Sequence, residues 1–172
     1  MFRALLRSSH PGPTLAVTAI VLALALGYGL EGWRIALVTL AIVANQLSVG
    51  ISNDVLDADR DHSSGRTDKP LASGDVSVTT GAVVALGLAA TSIVLSLALG
   101  PLAAVAHGIF LASGWVYNLG LKSTLASVVP YVVGFGSLPA IVTLASDAPR
   151  LAAPWSMTAA ALLGVAAHFS NV

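Results

Sequence analysis

Apolar residues occur along this chain in long uninterrupted runs, and polar residues gather in the segments between them. An apolar run that lies in lipid has to be helical, because each backbone N–H and C=O must find a partner within its own segment. None of the runs alternates apolar and polar residues with the period of two that transmembrane β-strands show. Most are close to the ~20 residues that span a hydrocarbon core. The sequence therefore predicts six transmembrane helices, over residues 13–30, 35–52, 79–99, 102–116, 127–146 and 151–169.

Composition supports a lipid environment for these helices. Apolar residues make up 56% of the 172 positions and charged residues only 9%, whereas a soluble domain has about 25% charged residues. The mean hydropathy is +0.86. The formal net charge is zero and cysteine is absent, so nothing indicates a nucleic-acid partner, a disulfide or a catalytic thiolate. We predict an all-α, multi-span transmembrane helix bundle, with one domain over residues 1–172 in contact with membrane lipid.

The basic residues predict how the helices are oriented. If the N-terminus lies in the cytoplasm, six of the eight Lys and Arg residues fall on the inner side, as the positive-inside rule requires. This topology places the polar segment 53–69 and the connection around Lys122 on one cytoplasmic face. The inner residues are Arg3, Arg7, Arg60, Arg66, Lys69 and Lys122, and the outer residues are Arg34 and Arg150.

One cluster of acidic residues occurs at the end of the second predicted helix. With ~100° of rotation per residue, a helix over residues 53–61 places four oxygen-bearing side chains within an arc of about 100°, while Asp59 points away. Like charges one turn apart repel each other, and at a helix C-terminus they also oppose the helix dipole. We therefore expect a cation to join the four residues of this acidic stripe, which are Asn53, Asp54, Asp57 and Asp61.

The chemistry of the acidic stripe favours a hard divalent cation. Carboxylate and amide oxygens suit Mg²⁺ or Ca²⁺, and Mg²⁺ is commonly held by one or two carboxylates together with substrate phosphates. Arg66 and Lys69 follow in the next connection. A guanidinium fork and an ammonium group are both suited to phosphate oxygens. A magnesium–diphosphate site is therefore the leading hypothesis.

Two other interpretations of this segment stay open. Its charged residues, Asp59 and Asp68 among them, could form a solvated loop with internal salt bridges. Alternatively, Asp57-x-Asp59-x-Asp61 begins like an EF-hand calcium loop. Such a loop has glycine at its sixth position and glutamate at its twelfth, where this chain has His62 and Asp68.

The segment resembles the first aspartate-rich motif of the UbiA superfamily of membrane prenyltransferases. The match consists of Asn53-Asp54-x-x-Asp57-x-x-x-Asp61, followed by Arg66-x-x-Lys69-Pro70-Leu-x-Ser-Gly74. It also agrees in helix number and face. A second, shorter match after the fourth predicted helix is similar to a Tyr…Lys element of the family, and consists of Tyr117-Asn-Leu-Gly-Leu-Lys122.

The resemblance implies an activity and a role for each matched residue. UbiA-type enzymes transfer an isoprenyl group from a polyprenyl diphosphate to a hydrophobic, often aromatic acceptor, with Mg²⁺ holding the diphosphate. By resemblance, all four residues of the acidic stripe hold Mg²⁺, and Asp54, Asp57 and Asp61 are also catalytic. The diphosphate would be bound by Asn53, Arg66, Lys69, Tyr117 and Lys122.

The resemblance also implies parts that the printed sequence does not contain. Family members typically have nine transmembrane helices and a second aspartate-rich motif at the end of the sixth. The sequence stops where that second motif would begin, with Asn171 as its expected first residue. We therefore expect a C-terminally truncated member that is poorly active or inactive alone. A non-catalytic remnant is the alternative.

A transporter or channel is the rival function from another class. Charged residues in membranes also mark ion pathways, but a pathway would need acidic residues deep within several helices. Here they collect at one predicted helix end. His107 lies alone in an apolar run and His10 precedes the first predicted helix, and the sequence assigns neither a role.

Overall fold

The chain folds into an all-helical bundle, which confirms the predicted fold class. The computed structural model describes residues 2–170, and within that range it contains seven α-helices, one short 3₁₀ turn and no strand. The 3₁₀ turn is Leu121–Ser123, between the fifth and sixth helices. In chain order the helices are α1 (Phe2–Ser8), α2 (Pro11–Gly27), α3 (Gly32–Ser63), α4 (Val78–Leu99), α5 (Pro101–Asn118), α6 (Val129–Leu144) and α7 (Pro154–Ser170).

Helices α2 to α7 correspond to the six predicted runs, with two differences. The sequence does not predict α1, because seven residues are too few to form an apolar run. Helix α3 continues past residue 52 as far as Ser63, so the whole acidic stripe lies on this helix. Pro130 lies in the first turn of α6, where its missing N–H breaks no helical hydrogen bond. Pro139 is inside α6.

Helix α3 is the central helix of the bundle. It packs against α2, α4 and α5, while α6 packs between α5 and α7. The buried Ser48 of α3 joins three helices, because its hydroxyl donates to the carbonyl of Ala85 on α4 at 2.8 Å and accepts from Nε1 of Trp115 on α5 at 3.2 Å. Such hydrogen bonds hold helices together where no water competes. They fix α4 and α5 against the helix that carries the acidic stripe.

The bundle is apolar on its outer surface and carries polar side chains inside, as expected for a protein surrounded by lipid. Leu15, Val83 and Trp155 are 70%, 65% and 74% exposed, whereas Asn45 and His107 are fully buried. In lipid, polar groups turn towards the bundle interior. By length and composition, α3 and α4 are each long and apolar enough to cross a membrane, and α2 and α6 are shorter apolar helices.

The turn between α1 and α2 packs directly against α3 at Gly50. A Cβ atom on residue 50 would overlap the backbone carbonyl of Ser9, so this approach requires glycine. Ser8 and Ser9 are both buried at the contact. On the other side, Nη2 of Arg7 donates to the backbone carbonyl of Asp68 at 2.9 Å. The N-terminal segment is therefore attached both to α3 and to the connection that follows α3.

We expect Gly50→Ala to separate this turn from α3 and to lower thermal stability. The added methyl group meets backbone atoms, which have no alternative rotamer, so the expected loss is roughly 1–3 kcal/mol. Thermal unfolding of the detergent-solubilised protein measures it. Gly87→Ala on α4 is the control, because an added Cβ there meets nothing within 4 Å. Equal unfolding temperatures for the two variants would contradict the close approach.

Candidate functional site

The acidic stripe lies on one buried face near the C-terminal end of α3. Asp54, Asp57 and Asp61 are 3%, 7% and 6% exposed, whereas Asp59 is exposed and Asn53 is half-buried. This is the arrangement that ~100° of rotation per residue predicts. Three carboxylates buried on one face need cationic partners, because an unpaired buried charge is strongly destabilising.

Lys69 joins two of the three aspartates. Its Nζ lies 2.8 Å from Asp61 Oδ2 and 3.0 Å from Asp54 Oδ1. Burial opposes the charge on Lys69, but the hydrogen bonds to the two carboxylates outweigh this and hold the pKa of Lys69 above its ordinary value. A protonated ammonium group therefore bridges two residues that are seven positions apart on α3.

The connection between α3 and α4 is folded so that it brings Lys69 to the acidic stripe. Helix α3 ends in a Schellman motif in which Gly65 has a φ of 69°. The N–H groups of Gly65 and Arg66 donate to the carbonyls of His62 and Asp61, each at 3.0 Å. Nδ1 of His62 then donates to the carbonyl of Ala72 at 2.9 Å. These bonds turn the chain back towards α3 directly before and after Lys69.

Lys122 joins the third aspartate to the asparagine of the stripe. Its Nζ lies 2.6 Å from Asp57 Oδ2 and 2.9 Å from Asn53 Oδ1. The end of α5 positions it, because Nδ2 of the buried Asn118 donates to the carbonyl of Val49 on α3 at 2.8 Å. The sequence predicts Lys122 but not Asn118, whose only signal is a polar residue at the end of an apolar helix.

Two arginines near the stripe differ in what they contact. Nη2 of Arg60 lies 2.9 Å from Asp57 Oδ2, so Asp57 has two cationic partners. Arg66, a predicted diphosphate ligand, is turned to Asp68, with its Nε and Nη2 each donating to one carboxylate oxygen at 2.9 Å. This fork lowers the pKa of the Asp68 carboxyl to about 2. Arg66 therefore lies in a neighbouring ion pair rather than on the stripe.

Two other predicted site residues are not joined to the stripe. The ring of Tyr117 packs edge-on against Tyr131, with the ring centroids 5.3 Å apart. Its predicted role at the diphosphate therefore rests on the sequence resemblance. Asn171, the expected start of a second motif, lies outside the residues that the structure describes.

His10 contacts the stripe, although the sequence assigns it no role. Its Nε2 lies 3.2 Å from Asp54 Oδ1. Because the carboxylate oxygen accepts this hydrogen bond, Nε2 carries the proton. The two residues are 44 positions apart in the chain, so no local sequence pattern could have revealed the contact.

Comparison with known families adds a result that is independent of this geometry. The match covers residues 14–172 and is to the UbiA prenyltransferase family. The chain belongs to the UbiA prenyltransferase family. Neither the curated proteins nor the solved structures give a significant match. Family membership implies a prenyltransferase in general terms and, together with the two long apolar helices, a location in a membrane.

In this UbiA family member the oxygen-bearing side chains of the stripe contact two lysines, two side chains to each. Within residues 2–170, no three His, Asp or Glu side chains form a group that could hold a metal ion. Instead, Asn53 and Asp57 converge on one ammonium group, and Asp54 and Asp61 converge on another. Hard oxygen donors that already converge on a cation have the chemistry that Mg²⁺ requires. We call Asn53 with Asp57, and Asp54 with Asp61, the two oxygen pairs. A magnesium site that contains all four residues stays a prediction.

Lys69→Met should destabilise the protein, and Arg66→Met should not. The first change leaves two buried carboxylates without their shared cation. We expect a loss of roughly 2 kcal/mol, below the 3–5 kcal/mol of a fully buried pair, because Lys69 is partly exposed. Arg66 belongs to an exposed pair, which contributes little. Thermal unfolding at low ionic strength compares the two, and an unchanged unfolding temperature for Lys69→Met would contradict the bridging role.

Proposed function

We propose that this protein transfers an isoprenyl group from a polyprenyl diphosphate to a hydrophobic acceptor within the membrane, with Mg²⁺ holding the diphosphate. The observation that carries the proposal is the convergence of two oxygen pairs on two ammonium groups beside the end of α3. Family membership supplies the reaction class. The oxygen pairs provide binding positions for cations. The lysines beside them provide ammonium groups that can bind phosphate oxygens.

In this proposal the two oxygen pairs would hold Mg²⁺, and the ammonium groups of the two lysines would move from the carboxylate oxygens to the phosphate oxygens of the diphosphate. Bound Mg²⁺ would neutralise the diphosphate and stabilise it as a leaving group. Lys69 and Lys122 each carry a flexible four-carbon stem, so both ammonium groups can turn to phosphate oxygens with little backbone motion. Arg66 is exposed beside them and offers a bidentate fork once it separates from Asp68.

The proposed reaction begins when the bond between the allylic carbon and the diphosphate oxygen breaks. The electron pair leaves with the diphosphate, which the lysines retain at the end of α3. The acceptor carbon then attacks the allylic cation, forms the new carbon–carbon bond and releases its proton to the departing diphosphate. Excluding water protects such a cation from hydrolysis, and an apolar helical bundle in lipid provides that environment.

The distribution of acidic residues favours this function over an ion pathway. Within the part of the chain that the structure describes, the buried acidic residues are Asp54, Asp57 and Asp61, all near the end of α3. The interiors of α2, α4, α5, α6 and α7 carry no Asp or Glu. A transporter or channel would need such groups along the depth of the membrane.

We expect Asp57→Asn to weaken Mg²⁺-dependent diphosphate binding roughly 10- to 100-fold. The change replaces a carboxylate that faces Lys122 with an amide of the same shape. Binding of geranyl thiolodiphosphate, an unreactive ester, is measured by calorimetry with and without Mg²⁺. Asp59→Asn is the matched control on the exposed side of the same helix. If both variants bind as tightly as the unmodified protein, the proposed site is wrong.

We also propose that the acidic stripe faces the cytoplasm. Arg7, Lys69 and Lys122 all contact the stripe or its connection, whereas Arg34 lies at the start of α3 and its Nη1 donates to the carbonyl of Ala145 at 2.8 Å. One end rich in Lys and Arg and an opposite end with few of them are the pattern of the positive-inside rule.

Because the chain has no cysteine, single cysteines can test this orientation directly. Ser64→Cys and Asp147→Cys introduce thiols at exposed positions in two different connections. In intact cells, a membrane-impermeant maleimide should label residue 147 at once and residue 64 only after lysis. The opposite labelling pattern would show that the stripe faces outwards.

A further inference from the structure

His10 has a backbone conformation that is unusual for its residue type. It lies between α1 and α2 with φ 51° and ψ 71°, and within residues 2–170 it is the only residue other than glycine with a positive φ. The left-handed region is disfavoured for residues with a Cβ, although histidine enters it more often than most. Such a conformation persists only when the surrounding structure determines it, and it occurs often at functional sites.

Contacts on both sides hold the turn around His10 in place. The hydroxyl of Thr14 contacts the carbonyls of Ser9 and His10, at 3.2 and 3.3 Å. The Ser9 carbonyl rests against Gly50 of α3. Arg7 donates to the carbonyl of Asp68, next to Lys69 in the chain. The left-handed turn is thus fixed relative to both α3 and the loop that carries Lys69.

This strained turn brings the side chain of His10 into contact with the acidic stripe. Nε2 of His10 and Nζ of Lys69 both donate to Oδ1 of Asp54, at 3.2 and 3.0 Å. Asp54 is 3% exposed, while the His10 side chain is 42% exposed. The side chain of His10 therefore lies between the buried carboxylate of Asp54 and the solvent. The segment before residue 14 lies outside the region that matches the family, so the family match assigns His10 nothing.

We propose that His10 is a positioning residue that fixes the carboxylate of Asp54 for magnesium–diphosphate binding, an inference that rests on the proposed function. When Lys69 turns to a phosphate oxygen, Asp54 loses that partner and His10 remains as its donor. The Nε2–H group then keeps the carboxylate in the rotamer that presents its other oxygen to the cation. Partners of this kind orient metal-binding carboxylates and strongly affect affinity.

The test separates backbone strain from the hydrogen bond. His10→Gly removes the hydrogen bond to Asp54, because glycine has no side chain. It also removes the backbone strain, because glycine adopts a positive φ without strain. His10→Asn tolerates the left-handed region, but its shorter amide falls short of Asp54. His10→Gln has an amide that can reach nearly as far as Nε2. Each variant is prepared in detergent, and two quantities are measured: the unfolding temperature, and the affinity for geranyl thiolodiphosphate with Mn²⁺.

We expect His10→Gly to unfold at the same or a higher temperature than the unmodified protein and yet to bind the Mn²⁺–diphosphate probe about tenfold more weakly. His10→Asn should bind as weakly as His10→Gly, and His10→Gln should recover part of the affinity. If His10→Gly does not fold, the comparison of His10→Asn with His10→Gln decides the question.

Two outcomes would overturn the proposal. If His10→Gly lowers the unfolding temperature and leaves the probe's dissociation constant within about twofold of the original, His10 is a structural tether only. If the unmodified protein does not bind the Mn²⁺–diphosphate probe, the proposed function itself is wrong and the inference about His10 falls with it. The first outcome leaves the proposed function intact, so the two failures are distinguishable.

Discussion

The burial of three carboxylates on one face of α3 is the constraint on which the architecture around the site depends. Each of these aspartates is more than nine-tenths buried, and none of them could stay charged there without a cation close by. Two lysines meet this need, one for Asp54 and Asp61 and the other for Asp57. Neither lysine lies on α3, so the two connections that carry them must be held close to this helix.

That requirement explains the form of the two connections. The loop after α3 turns back through a Schellman motif and a histidine–carbonyl hydrogen bond, although a loop of this length could otherwise be mobile. The 3₁₀ turn after α5 is held close to α3 by Asn118. In the proposed function, local stability and diphosphate binding would therefore involve the same contacts. A ligand that attracted the two lysines would then also weaken the ion pairs that stabilise the acidic stripe.

Much of this arrangement could be predicted from the sequence. The lengths of the apolar runs predict helices α2 to α7. Helical periodicity alone predicts that Asp54, Asp57 and Asp61 share one face and that Asp59 lies on another. Lys69 and Lys122 follow from charge and from the family resemblance. The pairing of each lysine with particular oxygens could not be predicted, because it depends on how two loops fold. The ion pair of Arg66 with Asp68, two positions away, was not predicted either, and a role of Arg66 at the diphosphate stays a prediction. The role of His10 could not be predicted either, because it depends on a contact between residues 44 positions apart and on a positive φ.

Helix α3 is unbroken from Gly32 to Ser63, and both oxygen pairs lie on it. With a rise of 1.5 Å per residue, the centres of the two pairs are about 4 Å apart along the helix axis. No hinge lies between them, so this separation does not adapt to the ligand. Two cations held there would be matched by two linked phosphate groups, whereas a single phosphate would reach only one of them. In the proposed function, the unbroken helix would therefore favour a diphosphate ester over a monophosphate.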